Sequence, residues 1–161
     1  MDIEFRTGSA PGEVAILKSA GINFGRLLLS GFVAAVVLNL VTGIANATIL
    51  KGAFLNWANG MGTHLHPPAQ PIQVGFWSLM GLLDAFTGVW IYAGMLPRYG
   101  AGSKTALLAG FLVWIAGRLC VAFDMFALGV FPWQFLAGQS VLGLIAILPG
   151  VLAGARIYKE T

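Results

Sequence analysis

The chain has 161 residues, of which 58% are hydrophobic and only 9% are charged, and its mean hydropathy is +0.84. A soluble globular domain carries about 25% charged residues, so this composition excludes water as the main solvent of the protein. The net charge of +3 does not indicate nucleic-acid binding, because no basic helix or basic-aromatic strand is present and the cations lie beside long apolar runs. The composition predicts an integral membrane protein.

Residues 1–22 precede the first apolar run and mix charged residues with Gly and Pro. We expect no cleavable signal here, since the apolar run that follows is too long for a signal core. The sequence therefore divides into an N-terminal segment, 1–22, which we expect on the cytoplasmic side, and a transmembrane domain, 23–161.

Four apolar stretches follow along the chain, at about 25–50, 72–95, 105–129 and 134–157. A helix that crosses the hydrocarbon layer of about 30 Å needs about 20 apolar residues, and each stretch meets this length. The runs are continuously apolar and lack the alternation of a barrel wall, which favours helices over strands. The predicted fold is an all-α bundle of four transmembrane helices.

The Lys and Arg residues of the connecting segments predict the orientation of this bundle. Cytoplasmic loops of membrane proteins are enriched in Lys and Arg. One side of the predicted bundle holds Arg6, Lys18, Arg26, Arg98, Lys104, Arg156 and Lys159, and the other side holds only Lys51. We therefore expect both termini on the cytoplasmic side of a bacterial inner membrane.

A weak internal repeat links the first span to the third and the second span to the fourth. Residues 28–32 match 107–111 at a shift of 79 residues, and 88–92 match 154–158 at a shift of 66 residues. A repeated helical hairpin would give four helices related by a pseudo-twofold axis along the membrane normal. Chance similarity among apolar helices is the alternative. In a true repeat, small residues should allow close helix approach at Gly31, Gly43, Gly110 and Gly117.

Three polar residues are predicted near the membrane midplane. Asn39, Asp84 and Arg118 each lie about 18 to 21 Å from the inner ends of their helices at 1.5 Å per residue. An ionisable residue at this depth costs several kcal/mol unless it is paired or reaches water. We expect an Asp84–Arg118 ion pair assisted by Asn39, serving either to fix helix register or to bind a proton, ion or small polar solute.

A second polar cluster is predicted nearer the outer surface, where Asn46, Asp124 and Gln139 should share a level. The long outer loop above it contains His64 and His66. Imidazole and carboxylate ligands suit zinc or copper, so these two histidines with Asp124 are candidate metal ligands. A loop without metal is the alternative.

The inner loop 92–106, with Leu-Pro-Arg-Tyr-Gly-Ala-Gly-Ser-Lys-Thr-Ala at 96–106, and the ending Ala-Gly-Ala-Arg-Ile-Tyr-Lys at 153–159 resemble segments of uncharacterised small four-span bacterial membrane proteins. The resemblance extends from Phe24 to Lys159. It implies four helices and supplies neither an activity nor a functional residue. Within the loop, 96–104 predicts a polar connection, with Ser103 as the N-cap of the third helix.

No catalytic motif is present, so we expect no enzyme activity. The leading functional hypothesis is a non-catalytic accessory subunit that packs against other membrane proteins, or against itself, in a respiratory or photosynthetic assembly. A small transporter or channel that uses Asn39, Asp84 and Arg118 is the alternative, and an outer-face metal-binding protein is the third. The motifs imply no cofactor, and we expect bound lipid from the surrounding bilayer.

Overall fold

In the computed structural model of the chain, the described residues are 23–61 and 69–158. They are almost entirely helical, and no strand occurs in these two ranges. The N-terminal segment and the two histidines of the outer loop lie outside the described residues. The helical elements are α1 (Phe24–Ala45), a π-helical segment (Asn46–Leu50), α2 (Lys51–Met61), α3 (Gln70–Tyr99), α4 (Ser103–Trp114), a second π-helical segment (Ile115–Leu119), α5 (Cys120–Ala127) and α6 (Trp133–Ile157).

These elements make four helices that are long and apolar enough to cross a membrane: Phe24–Gly60, Gln70–Tyr99, Ser103–Ala127 and Trp133–Ile157. The protein is therefore a four-helix transmembrane bundle, as the sequence predicted. Short connections make successive helices antiparallel. We call the end of the bundle that holds Asn23 and Tyr158 the terminal face, and the opposite end the distal face.

Two helix boundaries differ from the sequence prediction. The first helix does not end near residue 50 but continues through the π-helical segment to Met61. The second membrane helix, α3, runs on through Pro97 to Tyr99, because a proline this close to a helix end removes only one donor. Gly100 then ends α3 with a φ of 74°, a conformation that glycine adopts readily.

The predicted cap at Ser103 is wrong. Gly102 occupies the N-cap position of α4 and Ser103 is the first helical residue. The polar contact of this turn comes instead from Thr105, whose Oγ1 donates to the Gly100 carbonyl oxygen at 2.8 Å. The inner connection is thus a turn of only three residues, which holds α3 and α4 close together at the terminal face.

The hydrophobic core lies mainly in the terminal half of the bundle. α1, α3, α4 and α6 meet there through small and branched side chains, and the largest fully buried apolar side chains are Leu38, Val89, Ile147 and Val151. In the distal half, α5 has no buried residue, and none of the α3 residues 70–80 is buried. The bundle is closely packed towards one face and loosely packed towards the other.

The packing of α3 against α6 supports the internal repeat. Gly88 of α3 lies against Val151 of α6, and its repeat equivalent Gly154 lies against Val89 of α3. Tyr92 and its equivalent Tyr158 contact each other edge to face, with ring centroids 6.3 Å apart. Equivalent residues contact each other only close to a symmetry axis, so the contact between Tyr92 and Tyr158 agrees with a pseudo-twofold axis between α3 and α6. The two glycine contacts are not equivalent, because the repeat pairs Val151 with Ala85 and Val89 with Ala155.

Three of the four glycines predicted at helix contacts do lie there. A Cβ atom on Gly31 would overlap Phe86, one on Gly110 would lie 3.2 Å from Leu148, and one on Gly117 would lie 3.2 Å from an oxygen of Asp84. The prediction for Gly43 is wrong, since its Cβ would meet nothing within 4 Å. Gly43 faces away from the neighbouring helices.

An aromatic cluster joins α2 to the turn between α5 and α6 at the distal face. The rings of Trp57 and Phe131 are tilted against each other with centroids 4.2 Å apart, and the ring centroids of Phe54 and Phe135 lie 6.1 Å apart. The indole Nε1 of Trp57 also donates to the Val130 carbonyl oxygen at 3.0 Å. These contacts fix the direction of α2 relative to α6.

Candidate functional site

An ion pair joins α3 to the third membrane helix. Nη2 of Arg118 donates to Oδ2 of Asp84 at 2.6 Å, and the side chains are 29% and 13% exposed. The predicted contact between these two residues is present. Whether it fixes helix register or serves transport remains a prediction.

The guanidinium of Arg118 has more donors than partners. Its Nε is buried and has no hydrogen-bond partner. Nη1 also lacks a partner among the described residues, since the bond to Asp84 uses Nη2. The aliphatic part of the side chain packs on α6, where a Cβ on Gly143 would lie 3.1 Å from Cγ of Arg118. A buried donor without a partner is costly at membrane depth, so this guanidinium calls for an explanation.

Arg118 lies in the π-helical segment Ile115–Leu119. A π-helical turn adds a residue to the helix, and such turns are frequent at functional sites. The sequence did not predict this segment, because no proline or glycine pair marks it.

The other π-helical segment, Asn46–Leu50, contains residues that could have predicted it. The side chains of Asn46 and Thr48 donate to the carbonyl oxygens of Thr42 and Ile44, four residues earlier in the helix. Such back-bonding distorts helices.

Asn39 does not join the ion pair, which corrects the predicted cluster of three. Its Nδ2 donates to the carbonyl oxygen of Ala35 at 3.0 Å and to that of Ser78 on α3 at 3.3 Å. Its Oδ1 lies against Gly81, where a Cβ would come within 2.5 Å. The rise per residue of a helix gives the depth of a residue in the membrane but not the direction in which its side chain leaves the helix. Asn39 is therefore a separate contact between α1 and α3.

A shallow groove follows this contact between α1 and α3. Its volume is about 290 Å³, and it is lined by Phe32, Ala35, Val36, Asn39, Ser78, Leu79 and Leu82. The groove lies on the outside of the bundle and does not lead to the ion pair residues.

The second predicted cluster is divided as well. Nε2 of Gln139 donates to Oδ1 of Asn46 at 3.0 Å, which joins the first helix to α6. Asp124 lies on an exposed part of α5, and no partner of its carboxylate is found in the described ranges. Asn46 and Gln139 thus form a hydrogen bond between two helices, and the carboxylate of Asp124 lies apart from them.

The metal hypothesis is not addressed by these contacts, since His64 and His66 lie outside the described residues. Within ranges 23–61 and 69–158, no group of three or more metal-ligating side chains occurs. The arrangement therefore offers an intramembrane ion pair with spare donors as its main chemical feature.

The fold and this site define a polytopic helical membrane protein with four spans and an ion pair between its second and third membrane helices. Comparison with protein families, with curated proteins and with solved structures finds no match to the chain. The function is therefore inferred from the geometry.

Proposed function

We propose that the protein is a non-catalytic subunit of the bacterial cytoplasmic membrane that packs against a partner membrane protein, with both of its termini in the cytoplasm. The distribution of Lys and Arg supports this orientation. The observation that carries the proposal is the continuation of the first membrane helix at the distal face, which we call the stem and define as α2, Lys51–Met61.

With the stem, the first membrane helix is longer than membrane crossing requires. The first helix has 37 residues, or about 55 Å at 1.5 Å per residue, whereas the hydrocarbon layer is about 30 Å thick. Lys51 is exposed at the start of the stem, where its ammonium group suits the membrane interface. The residues that follow it therefore project towards the outer side.

The stem is also rigid and partly apolar. Trp57 holds it to the Val130 carbonyl oxygen and to Phe131. Leu55 remains 46% exposed on this fixed helix. An exposed apolar side chain that a rigid helix holds at the distal face gains free energy when another protein covers it. The stem therefore suits a docking contact with a partner on the outer side.

The transport alternative has less support. Between α3 and α4 the terminal half is filled by apolar side chains, and a Cβ on Gly88 would lie 3.7 Å from Val113. Ala85, Val89 and Ala109 are fully buried in the same region. The ion pair therefore has no polar route to the terminal face between these two helices in this conformation.

Leu55→Glu is expected to release the partner during purification from native membranes in a mild detergent, because it places a charge in the docking contact. The bundle itself should remain folded, since Leu55 lies outside its core. The measurement is the ratio of a co-purifying partner to this chain, by quantitative mass spectrometry.

The matched control is Asn56→Glu, which adds the same charge at the neighbouring exposed position. It should retain the partner that Leu55→Glu releases. A wild-type chain that purifies alone, or a partner retained equally by the wild type and Leu55→Glu, would contradict the docking role of the stem.

A further inference from the structure

The second and third membrane helices separate on the distal side of the ion pair. Towards the terminal face α3 packs closely against α4, as the approach of Gly88 to Val113 shows. Beyond Arg118, α5 packs against α6 but has no comparable contact with α3 among the described residues. α5 has no buried residue, and neither have residues 70–80 of α3. The distal parts of α3 and α5 therefore lie apart, and the Asp84–Arg118 pair joins the two helices where they separate. We call the space between these two parts the cleft and the ion pair its closed end.

The walls of this cleft are apolar. On α3, Met80 and Trp77 lie one and two helical turns from Asp84 on the same face, and they are 52% and 57% exposed. On α5, Val121 lies one turn beyond Arg118 and is 47% exposed. The cleft therefore offers an apolar surface that ends at a polar group.

The polar group at the closed end has a donor to spare. Nη1 of Arg118 has no hydrogen-bond partner in the described part of the chain, and the side chain keeps 29% of its surface accessible. The ion pair is neutral as a unit. An anion bound there would leave a net negative charge at membrane depth, which is costly. A neutral oxygen acceptor satisfies the donor without that cost.

The shape of the cleft selects a narrow ligand. At its closed end the two walls are joined by the 2.6 Å contact between Arg118 and Asp84. A helix is about 10 Å wide, so a partner helix could not reach Nη1 between them. α5 ends at Ala127, about 13 Å beyond Arg118 at 1.5 Å per residue. A phospholipid keeps its polar groups near that end, well above the guanidinium.

We propose that the cleft binds a membrane-soluble quinone, a flat neutral ring with carbonyl oxygens on an apolar tail. One carbonyl oxygen accepts a hydrogen bond from Nη1 of Arg118, and the ring lies between the walls formed by Met80, Trp77 and Val121. Asp84 orients the guanidinium and keeps the site neutral. The proposal concerns binding only, and it rests on residues other than the stem, so either proposal can fail alone.

The test is equilibrium binding of radiolabelled 2-decyl-1,4-benzoquinone to the full-length protein in phosphatidylcholine vesicles, with partition into protein-free vesicles subtracted. We expect saturable binding of one quinone per chain. Decylbenzene, which has the same tail and a ring of the same size without carbonyl oxygens, should show no saturable binding. The absence of saturable quinone binding, or equal binding of decylbenzene, would overturn the proposal.

Two variants and one control variant locate the site. Val121→Trp fills the cleft and should abolish saturable binding. Phe123→Trp places the same indole five residues from Arg118, on another face of the helix, and should not abolish it. Arg118→Lys keeps the charge opposite Asp84 but loses the planar guanidinium, so the dissociation constant should rise about tenfold, as expected for one lost hydrogen bond to a charged donor. Binding that survives Val121→Trp, or that is unchanged in a folded Arg118→Lys variant, would overturn the assignment.

Discussion

Arg118→Met is expected to lower the free energy of unfolding by about 3 kcal/mol. The substitution removes the cation and leaves the carboxylate of Asp84 unpaired, although that side chain is only 13% exposed and lies within a membrane helix. An uncompensated charge at this depth is costly unless water or a proton reaches it. The free energy of unfolding is measured at equilibrium in bicelles, with unfolding driven by steric trapping or by a denaturing detergent.

The double variant Asp84→Leu/Arg118→Met is the control, because replacing both members of a buried ion pair with apolar residues is often neutral. It should recover most of the lost stability. Asp124→Asn, which changes an exposed carboxylate on the same membrane helix, should leave stability unchanged. A single variant as stable as the wild type, or a double variant no better than the single one, would contradict the account of the pair.

Gly154→Leu is expected to cost about 3 kcal/mol, at the upper end of what overpacking usually costs. A Cβ at Gly154 would lie 2.7 Å from Val89 and 2.8 Å from the Ser30 carbonyl oxygen. The backbone oxygen cannot rotate away as a side chain does, so α6 must move away from both α1 and α3. The same unfolding experiment measures the loss.

Gly94→Leu is the matched control on α3. Its Cβ would meet nothing within 4 Å, and the position is exposed. It should therefore leave stability unchanged or raise it slightly through better helix propensity. Equal stability losses for Gly154→Leu and Gly94→Leu would show that the contact between α6 and its neighbours does not depend on small residues.

The overall fold could be predicted from the sequence because membrane crossing imposes a length and a composition on each helix. Four apolar runs of sufficient length leave few alternatives in a bilayer. The similarity of the segments around Gly88 and Gly154 was also visible in the sequence, and a true repeat stays a prediction beside chance similarity. The contact between Tyr92 and Tyr158 could not be predicted from the alignment of the two segments alone.

The candidate site was predictable only in part. The levels of Asp84 and Arg118 followed from helix rise, and opposite charges at one level in neighbouring helices tend to pair. The side of the first helix on which Asn39 lies could not be predicted from the sequence, because small errors in helix rotation accumulate along a span. The π-helical segment that carries Arg118 and the separation of α3 from α5 depend on tertiary packing, for which a single sequence carries little signal.

The orientation of the bundle can be tested most directly by labelling single cysteines in intact cells with a membrane-impermeant maleimide, in a Cys120→Ala background. Asn59→Cys places a thiol on the exposed stem, and Ala101→Cys places one in the exposed turn between α3 and α4. We expect the thiol at position 59 to react in intact cells and the thiol at position 101 to react only after the membrane is permeabilised. Labelling of position 101 in intact cells, with position 59 protected, would contradict this orientation.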